Sequence, residues 1–350
     1  MIPFPDDVCS RFFRGIPDRT KMTEPEDRKD RLESLARVDS VKLSVLVVNY
    51  NSGTLLSECL RSVMNTVETA PFEVLIVDND SSDDSLETAI EEFPDVQYIR
   101  NDFNNWYTGG ANQAMKACRG DYMLILNPDT VCHPGAVDGL VDFMDDRDKA
   151  GIACPKLLNG DGSLQPSCRK FLKSRFLVLK HLLPWSILPQ SWKKRFVLEY
   201  WHHGETIAAD WIIGASVLVR REAVEQVGLK DEEFRMFHEE TDWCMRMAKQ
   251  GWQVWFVHDS VVTHHGSQSA MAMWGDDLVL EFYRGKHMFI RKHFGIAALL
   301  IHRVLLAGLL TLRLLAVSFR RIAGGNGNLR RRSSFLKKAI FIQLGLGGKR

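Results

Sequence analysis

The sequence predicts an α/β protein built on a mostly parallel central sheet with helices on both faces. Three observations carry that expectation. Short β-branched runs alternate with stretches of helical periodicity over residues 41–130, joined by brief connections. Successive runs end in Asn/Asp-rich clusters, and parallel strands gather such ends along one sheet edge, where ligands bind. The composition, 45% hydrophobic and 25% charged over 350 residues, is that of a globular chain large enough for one large or two modest domains.

Residues 1–40 are polar, mixed in charge and carry Pro3, Pro5, Pro17 and Pro25, so a poorly ordered extension with a short helix near residues 30–38 is expected. Residues 41–48 (VKLSVLVV) read as a buried first strand, ending in the polar turn Asn49-Tyr50-Asn51-Ser52-Gly53. Leu56, Leu60, Val63 and Val67 then recur at helical spacing. Residues 72–77 form a second strand, ending in Asp78-Asn79-Asp80, and a helix over 85–92 follows with Ser82 or Asp83 as N-cap. Residues 96–100 make a short third strand. Asn101–Thr108 is a loop, and Gly109-Gly110 opens a helix to Cys118.

Residues 122–129 (YMLILNPD) are the stretch the rest is organised around. Five apolar residues read as a fully buried strand, and Pro128 turns the backbone. Asp129 then lies just past the carboxyl end of a central strand, with no Lys or Arg within eight residues on either side. A carboxylate there suits a divalent cation and the phosphates it carries. Alone, Asn-Pro-Asp is ordinary turn chemistry; its place in a row of polar strand ends points to a nucleotide. Neither G-x-x-x-x-G-K-[ST] nor G-x-G-x-x-G occurs at this site, which excludes a P-loop and the dinucleotide fingerprint.

A helix over 134–144, a strand over 152–158 and a hairpin turn at 159–162 (NGDG) follow. Residues 166–198 hold eight Lys/Arg and no acid, interleaved with Leu, Phe and Trp; a membrane-facing amphipathic segment and a solvated helical pair fit equally. Residues 210–219 are apolar, with small residues at Gly214, Ala215 and Ser216 that allow close approach. A helix spans 221–227. Glu239, Glu240 and Asp242 then crowd three carboxylates into four residues flanked by aromatics and Met. Acids suit a first helical turn, but partial enclosure would raise a carboxylate's pKa and make it a better general base. Strands are expected over 253–257 and 261–266, the second ending in His264-His265-Gly266, where a neutral imidazole could ligate a cation.

Charge is uneven. Residues 296–350 hold 11 Lys/Arg and no acid, leaving 34 basic against 44 acidic residues in the rest. Residues 294–319 are rich in Leu, Ala and Ile but interrupted by His302, Arg303 and Arg313. A basic amphipathic tail lying on an anionic membrane surface is the first expectation, and a single membrane span the second. No nucleic-acid module accompanies these charges, so no nucleic-acid partner is expected. Seven scattered cysteines without a C-x-x-C pair, and no apolar leader, fit a reduced cytoplasmic protein peripheral on the inner face of the membrane.

The motifs VVNYNSG (47–53), IVDNDSSD (76–83), N-x-x-x-x-G-G-x-N (104–112), LNPD (126–129), GASVLVRREA (214–223), F-x-M-F-H-E-E-T-D-W-C-x-R (234–246) and V-x-H-H-G-x-x-S (262–269) together resemble inverting glycosyltransferases of family 2, which have the GT-A fold. The likeness covers about residues 41–295, divided into a nucleotide-binding half (41–130) and an acceptor half (131–295). Within the family it is nearest to rhamnosyltransferases that use dTDP-L-rhamnose. The resemblance implies a nucleotide-sugar donor, a glycan or lipid-linked glycan acceptor in cell-envelope polysaccharide synthesis, and a Mg²⁺ or Mn²⁺ cofactor. It implies that Asn49, Asn51, Asp78, Asp80, Asn104, Gly110 and Asn127 lie at the nucleotide-sugar, with Asp78 accepting the pyrimidine N3–H. Asp129 and His264 would hold the metal, and Asn127 replaces the first Asp of D-x-D. Glu240 stands where the family usually has the Asp base, leaving Glu240, Glu239 or Asp242 for that role. Trp211, Gly214 and Arg246 are expected on the acceptor side. Trp106 and Ala114 stand where relatives often have Gly, so a φ > 0 at either would require a rearranged loop. The Q-x-x-R-W signature of processive synthases is absent. A UDP-sugar donor and a non-catalytic nucleotide-sugar-binding protein on the same fold remain alternatives.

Overall fold

The computed structural model describes residues 41–68, 71–171, 187–266, 278–322 and 329–345. The N-terminal extension and the centre of the basic 166–198 stretch lie outside the described residues.

Strands β1 (Leu43–Asn49), β2 (Phe72–Asp78), β3 (Gln97–Arg100) and β4 (Tyr122–Leu126) pair in parallel in the order β3-β2-β1-β4. Their connections are α1 (Leu55–Thr66), α2 (Ser85–Glu92) and α3 (Trp106–Ala117). The chain continues through β5 (Thr130–Cys132), α4 (Ala136–Asp145), β6 (Ala150–Leu158) and the short β7 (Leu164–Gln165) and β8 (Cys168–Arg169), the last of which pairs apart from the main sheet. After α5 (Gln190–Phe196) come β9 (Ile207–Ala209), β10 (Trp211–Ile212), β11 (Ser216–Arg220), α6 (Arg221–Val227), α7 (Glu239–Lys249) and β12 (Gln253–His264). The order of the main sheet is β3-β2-β1-β4-β11-β6-β12-β5. β11 runs antiparallel to both neighbours, so β6 and β12 regain the direction of β4. This is the mostly parallel α/β sheet that the sequence predicts.

Both faces are covered because the strands are apolar on both sides. Val45 and Val47 pack with Leu56, Leu60, Ala89 and Leu140 of α1, α2 and α4. Leu46 and Ile125 face the other way, toward Ala114, Ala223 and Trp243 of α3, α6 and α7. Ser82 and Asp83 were the expected caps of α2; Asp83 does the work, accepting the Ser85 N–H at 3.2 Å, although Asp84 occupies the cap position. Two expectations need correction. The strands expected over 253–257 and 261–266 are one strand, β12, with a register shift between Val257 and Val261 that lets one chain pair continuously with β6. Helix α3 begins at Trp106, ahead of the glycines.

The C-terminal part is helical. α8 (Leu278–Ile322) breaks at Gly295, where φ 84° and ψ 176° reverse the chain. His287 thereby comes within 5.9 Å of His302, ring to ring, and its Nε2 lies 2.8 Å from Gln343 Oε1 of α9 (Leu329–Gln343). Tyr283, Leu306, Leu310, Leu336 and Ala339 form the core of this bundle. Its outer face is apolar and open: Leu300 is 53% exposed, Val304 71%, Leu312 65%, Leu315 61% and Phe319 73%. By length and composition, residues 280–319 are long and apolar enough to cross a membrane, despite the interruptions at Arg303 and Arg313.

Candidate active site

The sheet brings the expected metal pair together. β12 pairs with β5 so that His264 lies opposite Thr130, next in sequence to Asp129. His264 Nε2 stands 3.3 Å from Asp129 Oδ1, and both residues are 6% exposed. The His264 ring is oriented from behind, where Nδ1 lies 2.8 Å from Gln165 Oε1. Gln165 is oriented in turn, because its Nε2 donates to Asn159 Oδ1 at 2.9 Å. An acceptor at Nδ1 places the ring proton there and leaves the Nε2 lone pair facing Asp129. Asn127 Nδ2 lies 3.5 Å from the same Nε2. One carboxylate and one neutral imidazole suit a Mn²⁺- or Mg²⁺-like cation that takes its remaining ligands from phosphate and water. Among the described residues no group of three or more His, Cys, Asp and Glu side chains forms a fuller cage.

Four of the expected nucleotide residues, Asn49, Asn51, Asp78 and Asp80, gather at the ends of β1 and β2, while Asn104 and Gly110 lie at α3 and Asn127 follows β4. Asn49 is fully buried, and its amide donates to Asp78 Oδ1 at 2.7 Å and Ser85 Oγ at 2.9 Å while its carbonyl accepts from Ser52. It therefore fixes Asp78 from behind and has no surface to offer a ligand. Asp78 Oδ1 also accepts the Ser81 hydroxyl at 2.6 Å, and Oδ2 the Ser81 N–H at 3.0 Å. Of about four acceptor positions on a carboxylate, one is left on Oδ2 for a base N–H. Asn51 joins the two loops by accepting the Ser82 N–H at 2.7 Å. Asp80 is exposed on the same turn, at φ 62°. A Cβ on Gly110 would stand 2.8 Å from Val48 Cγ1, which explains a glycine where α3 crosses β1.

Trp106 does sit at positive φ, 60°. The loop keeps the left-handed conformation and holds it with side chains. Asn104 Oδ1 accepts the Trp106 N–H, and Asn79 Nδ2 donates to the Trp106 C=O, both at 2.8 Å. Arg235 covers the indole at 5.1 Å.

The three carboxylates of α7 separate into two environments. Asp242 has no exposed side chain; its Oδ1 meets His293 Nε2 at 2.7 Å and Lys292 Nζ at 2.8 Å, both from α8, and Oδ2 meets Arg246 Nε at 2.8 Å. Burial opposes its charge, but these three donors outweigh burial and pull its pKa down to about 2. Asp242 is thus an anchor for the C-terminal helices and a poor base. Arg246, expected on the acceptor side, is tied to Asp242 and to the carbonyls of Val227 and Leu229.

Glu239 and Glu240 face the other way. A Cβ on Gly214 would lie 3.8 Å from Glu239 Oε1 and 3.9 Å from Glu240 Cβ and the Tyr107 hydroxyl. The Oε2 atoms of both glutamates are shut off from water with no hydrogen-bond partner in the protein. Burial, then the charge of Glu239, hold the Glu240 carboxyl well above the usual carboxylate range. The pair and the metal pair flank one edge, since the Asn127 N–H donates to the carbonyl of Ala215, the residue after Gly214. Trp211 stands nearby in β10, with its ring 6.4 Å from that of His238, the residue before Glu239. Sequence reasoning missed Gln165, Tyr107 and Lys230; the last is buried beside the glutamates and is visible in sequence only as one cation in a stretch of apolar and acidic residues.

Comparison with known proteins identifies the family. Residues 44–201 match the model of "Glycosyl transferase family 2". N-acetylglucosaminyl-diphospho-decaprenol L-rhamnosyltransferase of Mycobacterium tuberculosis is 30% identical over 239 residues, 65% of this chain and 77% of that protein. Among solved structures, S. aureus TarS 1-349 in complex with UDP-GlcNAc is similar over 76% of this chain and 71% of that one, at 17% identity and TM-score 0.49. GalNAc-T7 with UDP, GalNAc and Mn²⁺ is similar over 65% of this chain and 44% of that one, at 17% identity and TM-score 0.49. On the strength of the mycobacterial relative, matched over more than two thirds of its length, the chain belongs to glycosyltransferase family 2 and is a nucleotide-sugar glycosyltransferase.

Proposed function

We propose that the enzyme transfers L-rhamnose from dTDP-L-rhamnose, with inversion, to a hydroxyl of a lipid-linked glycan acceptor, using Mg²⁺ or Mn²⁺. The observation that carries this reading is the 3.3 Å pairing of Asp129 with His264, with the Glu239/Glu240 pair beside Gly214, the residue before the Ala215 carbonyl that Asn127 bonds. Asp129 and His264 would hold the cation; when bound, it supplies positive charge for the departing diphosphate. Asp78 offers its free Oδ2 acceptor to the base of the donor. The ionised member of the glutamate pair takes the proton from the acceptor hydroxyl as its oxygen bonds to the anomeric carbon. The bond from that carbon to the diphosphate oxygen breaks, and its electron pair leaves with the diphosphate. Attack from the opposite face inverts the centre through an oxocarbenium-like transition state.

The lipid-linked acceptor is supported by the mycobacterial relative, whose name describes an L-rhamnosyltransferase for a sugar diphospho-decaprenol. It is supported also by the open apolar face of the C-terminal bundle, which we assign to an anionic membrane surface on the cytoplasmic side. Arg303 and Arg313 are half-buried on this bundle, and Arg303 donates to the Ile342 carbonyl of α9 at 3.2 Å.

The test is a donor screen. Purified protein is given a lipid-linked acceptor, Mg²⁺ or Mn²⁺ and a panel of dTDP-, UDP- and GDP-sugars, and nucleotide release is measured. Metal-dependent release from dTDP-L-rhamnose above the others is expected. Preference for a UDP-sugar would replace the donor and keep the rest; no metal-dependent release from any donor would refute the reading.

A further inference from the structure

Lys230 is 3% exposed, and its Nζ is shut off from water beside the Tyr107 hydroxyl, with no carboxylate in direct contact among the described residues. A buried ammonium is costly, so its neighbours define its purpose. The Nζ lies 4.7 Å from the centre of the Tyr107 ring and 5.5 Å from that of Trp243. Its charge is felt first by Tyr107 and then by Glu239 and Glu240, which share the α7 face of Trp243. The position is built rather than incidental. Asn112 of α3 grips the backbone of Lys230 from both sides: its Nδ2 donates to the Lys230 C=O at 2.8 Å, and its Oδ1 accepts the Lys230 N–H at 3.1 Å. Thr108, one turn earlier, donates to the Phe234 carbonyl at 2.6 Å. The helix that closes the nucleotide half thus delivers a lysine to the carboxylate pair.

We propose that Lys230 is a positioning residue for charge: it holds the Glu239/Glu240 pair at one proton and one negative charge, so that a base is present at neutral pH. The inference rests on the glutamate pair being the base, as proposed above. Two adjacent carboxylates out of water resist double ionisation, and two such groups titrate as a unit. Without a cation both would become protonated, and no acceptor for the hydroxyl proton would remain. With the ammonium beside them, one stays ionised, takes the proton during transfer and leaves the pair neutral until solvent removes it.

The other titratable groups that meet the pair do not supply this charge. Tyr107, from α3, stays a phenol because burial raises its pKa, and its hydroxyl donates to the Gly214 carbonyl at 3.2 Å. Cys244, one turn along α7, is pushed up to about 12 by burial and stays neutral. His238, at the start of α7, is pushed down to about 3 by burial and is uncharged. Asp242 and Arg246 satisfy each other on the other side of the helix. Gly214 of the β10–β11 connection contributes no charge.

The experiment compares Lys230→Met and Lys230→Arg with wild type in kcat as a function of pH, with thermal melts to verify folding. Lys230→Met should move the acid limb of the profile upward by at least about one pH unit, losing about tenfold at neutral pH and recovering as pH rises. Lys230→Arg should restore the wild-type limb. A parallel loss at every pH, or the same limb shift in Lys230→Arg, would overturn the proposal. A second readout uses the wild type and so survives misfolding of either variant. Infrared difference spectra of wild type against Glu239→Gln and Glu240→Gln should show one protonated carboxyl from the pair at neutral pH; two, or none, would overturn it. Should the wild type transfer no sugar, the assigned reaction fails, whereas the infrared count still decides the charge of the pair.

Discussion

Replacing Asp242 by Asn distinguishes an anchor from a base. In the structure its carboxylate meets three donors at 2.7–2.8 Å with no exposed side chain. Its pKa in the folded protein, about 2, lies below the value of 3.8 for the free group. A depressed pKa contributes stability that is present above the unfolded value and lost as pH falls through the folded one, here from about pH 4 to about pH 2. The difference corresponds to roughly 2.5 kcal/mol at neutral pH. Removing one member of a fully buried pair costs about 3–5 kcal/mol. Lys292 is 36% exposed and can turn to water, which favours the lower figure. For a domain of this size the melting temperature should fall by roughly 5–10 °C. Thermal denaturation of Asp242→Asn and wild type at pH 7 reads that difference, and the gap should close as pH drops toward 2. Turnover assayed well below the melting point should keep the wild-type pH profile. A variant that melts within about a degree of wild type but has lost turnover would show that Asp242 is the base and that its contacts with α8 are incidental.

Glu240→Gln should lower kcat by about 10²–10⁴-fold with little change in the donor KM, because the residue acts on the acceptor proton. Gln165→Ala frees the His264 ring and should weaken Mn²⁺ affinity about 10–100-fold in a calorimetric titration without unfolding the protein. Gly110→Ala forces a Cβ to 2.8 Å from Val48 Cγ1 and should cost roughly 1–3 kcal/mol by thermal denaturation. The full chain should sediment with vesicles rich in anionic lipid, less so at high salt, and the double variant Val304→Glu/Leu312→Glu should bind them at least about tenfold more weakly; equal binding to neutral vesicles would argue against the charge component.

What was legible in the sequence was local. The strands from β1 to β4 announce themselves as apolar runs ending in Asn and Asp, and the structure sets those ends in one row. Contacts between distant residues were legible only through the family likeness. Nothing local says that His264 lies 3.3 Å from Asp129, because the register shift inside β12 decides which residue reaches Thr130. Nor could spacing divide the carboxylates of α7. Glu240 and Asp242 are two residues apart, about 200° around a helix, so they face different neighbours. Those neighbours are Lys230 on one side and His293 with Lys292 on the other, all from other elements. The chain turns at Gly295 within α8, and Tyr283 from before that turn shares a core with Leu336 from after it, a contact no local pattern announces.

Trp106 and Glu240 both depart from the residues that relatives often carry, and the structure treats them alike. A left-handed Trp costs about 1–2 kcal/mol, and a buried second acid costs more still unless its charge is met. Asn104 and Asn79 pin the amide and carbonyl of Trp106, and Asn112 brings Lys230 under the glutamates. All but Asn79 belong to the segment from residue 104 to 112 or are gripped by it. On the proposed reading, one short stretch of chain therefore holds both the Trp106 turn and the lysine that meets the glutamates. If the glutamate pair is the base, a substitution there that left nucleotide binding intact should still shift the pH dependence of transfer, because Asn112 holds Lys230 through its backbone.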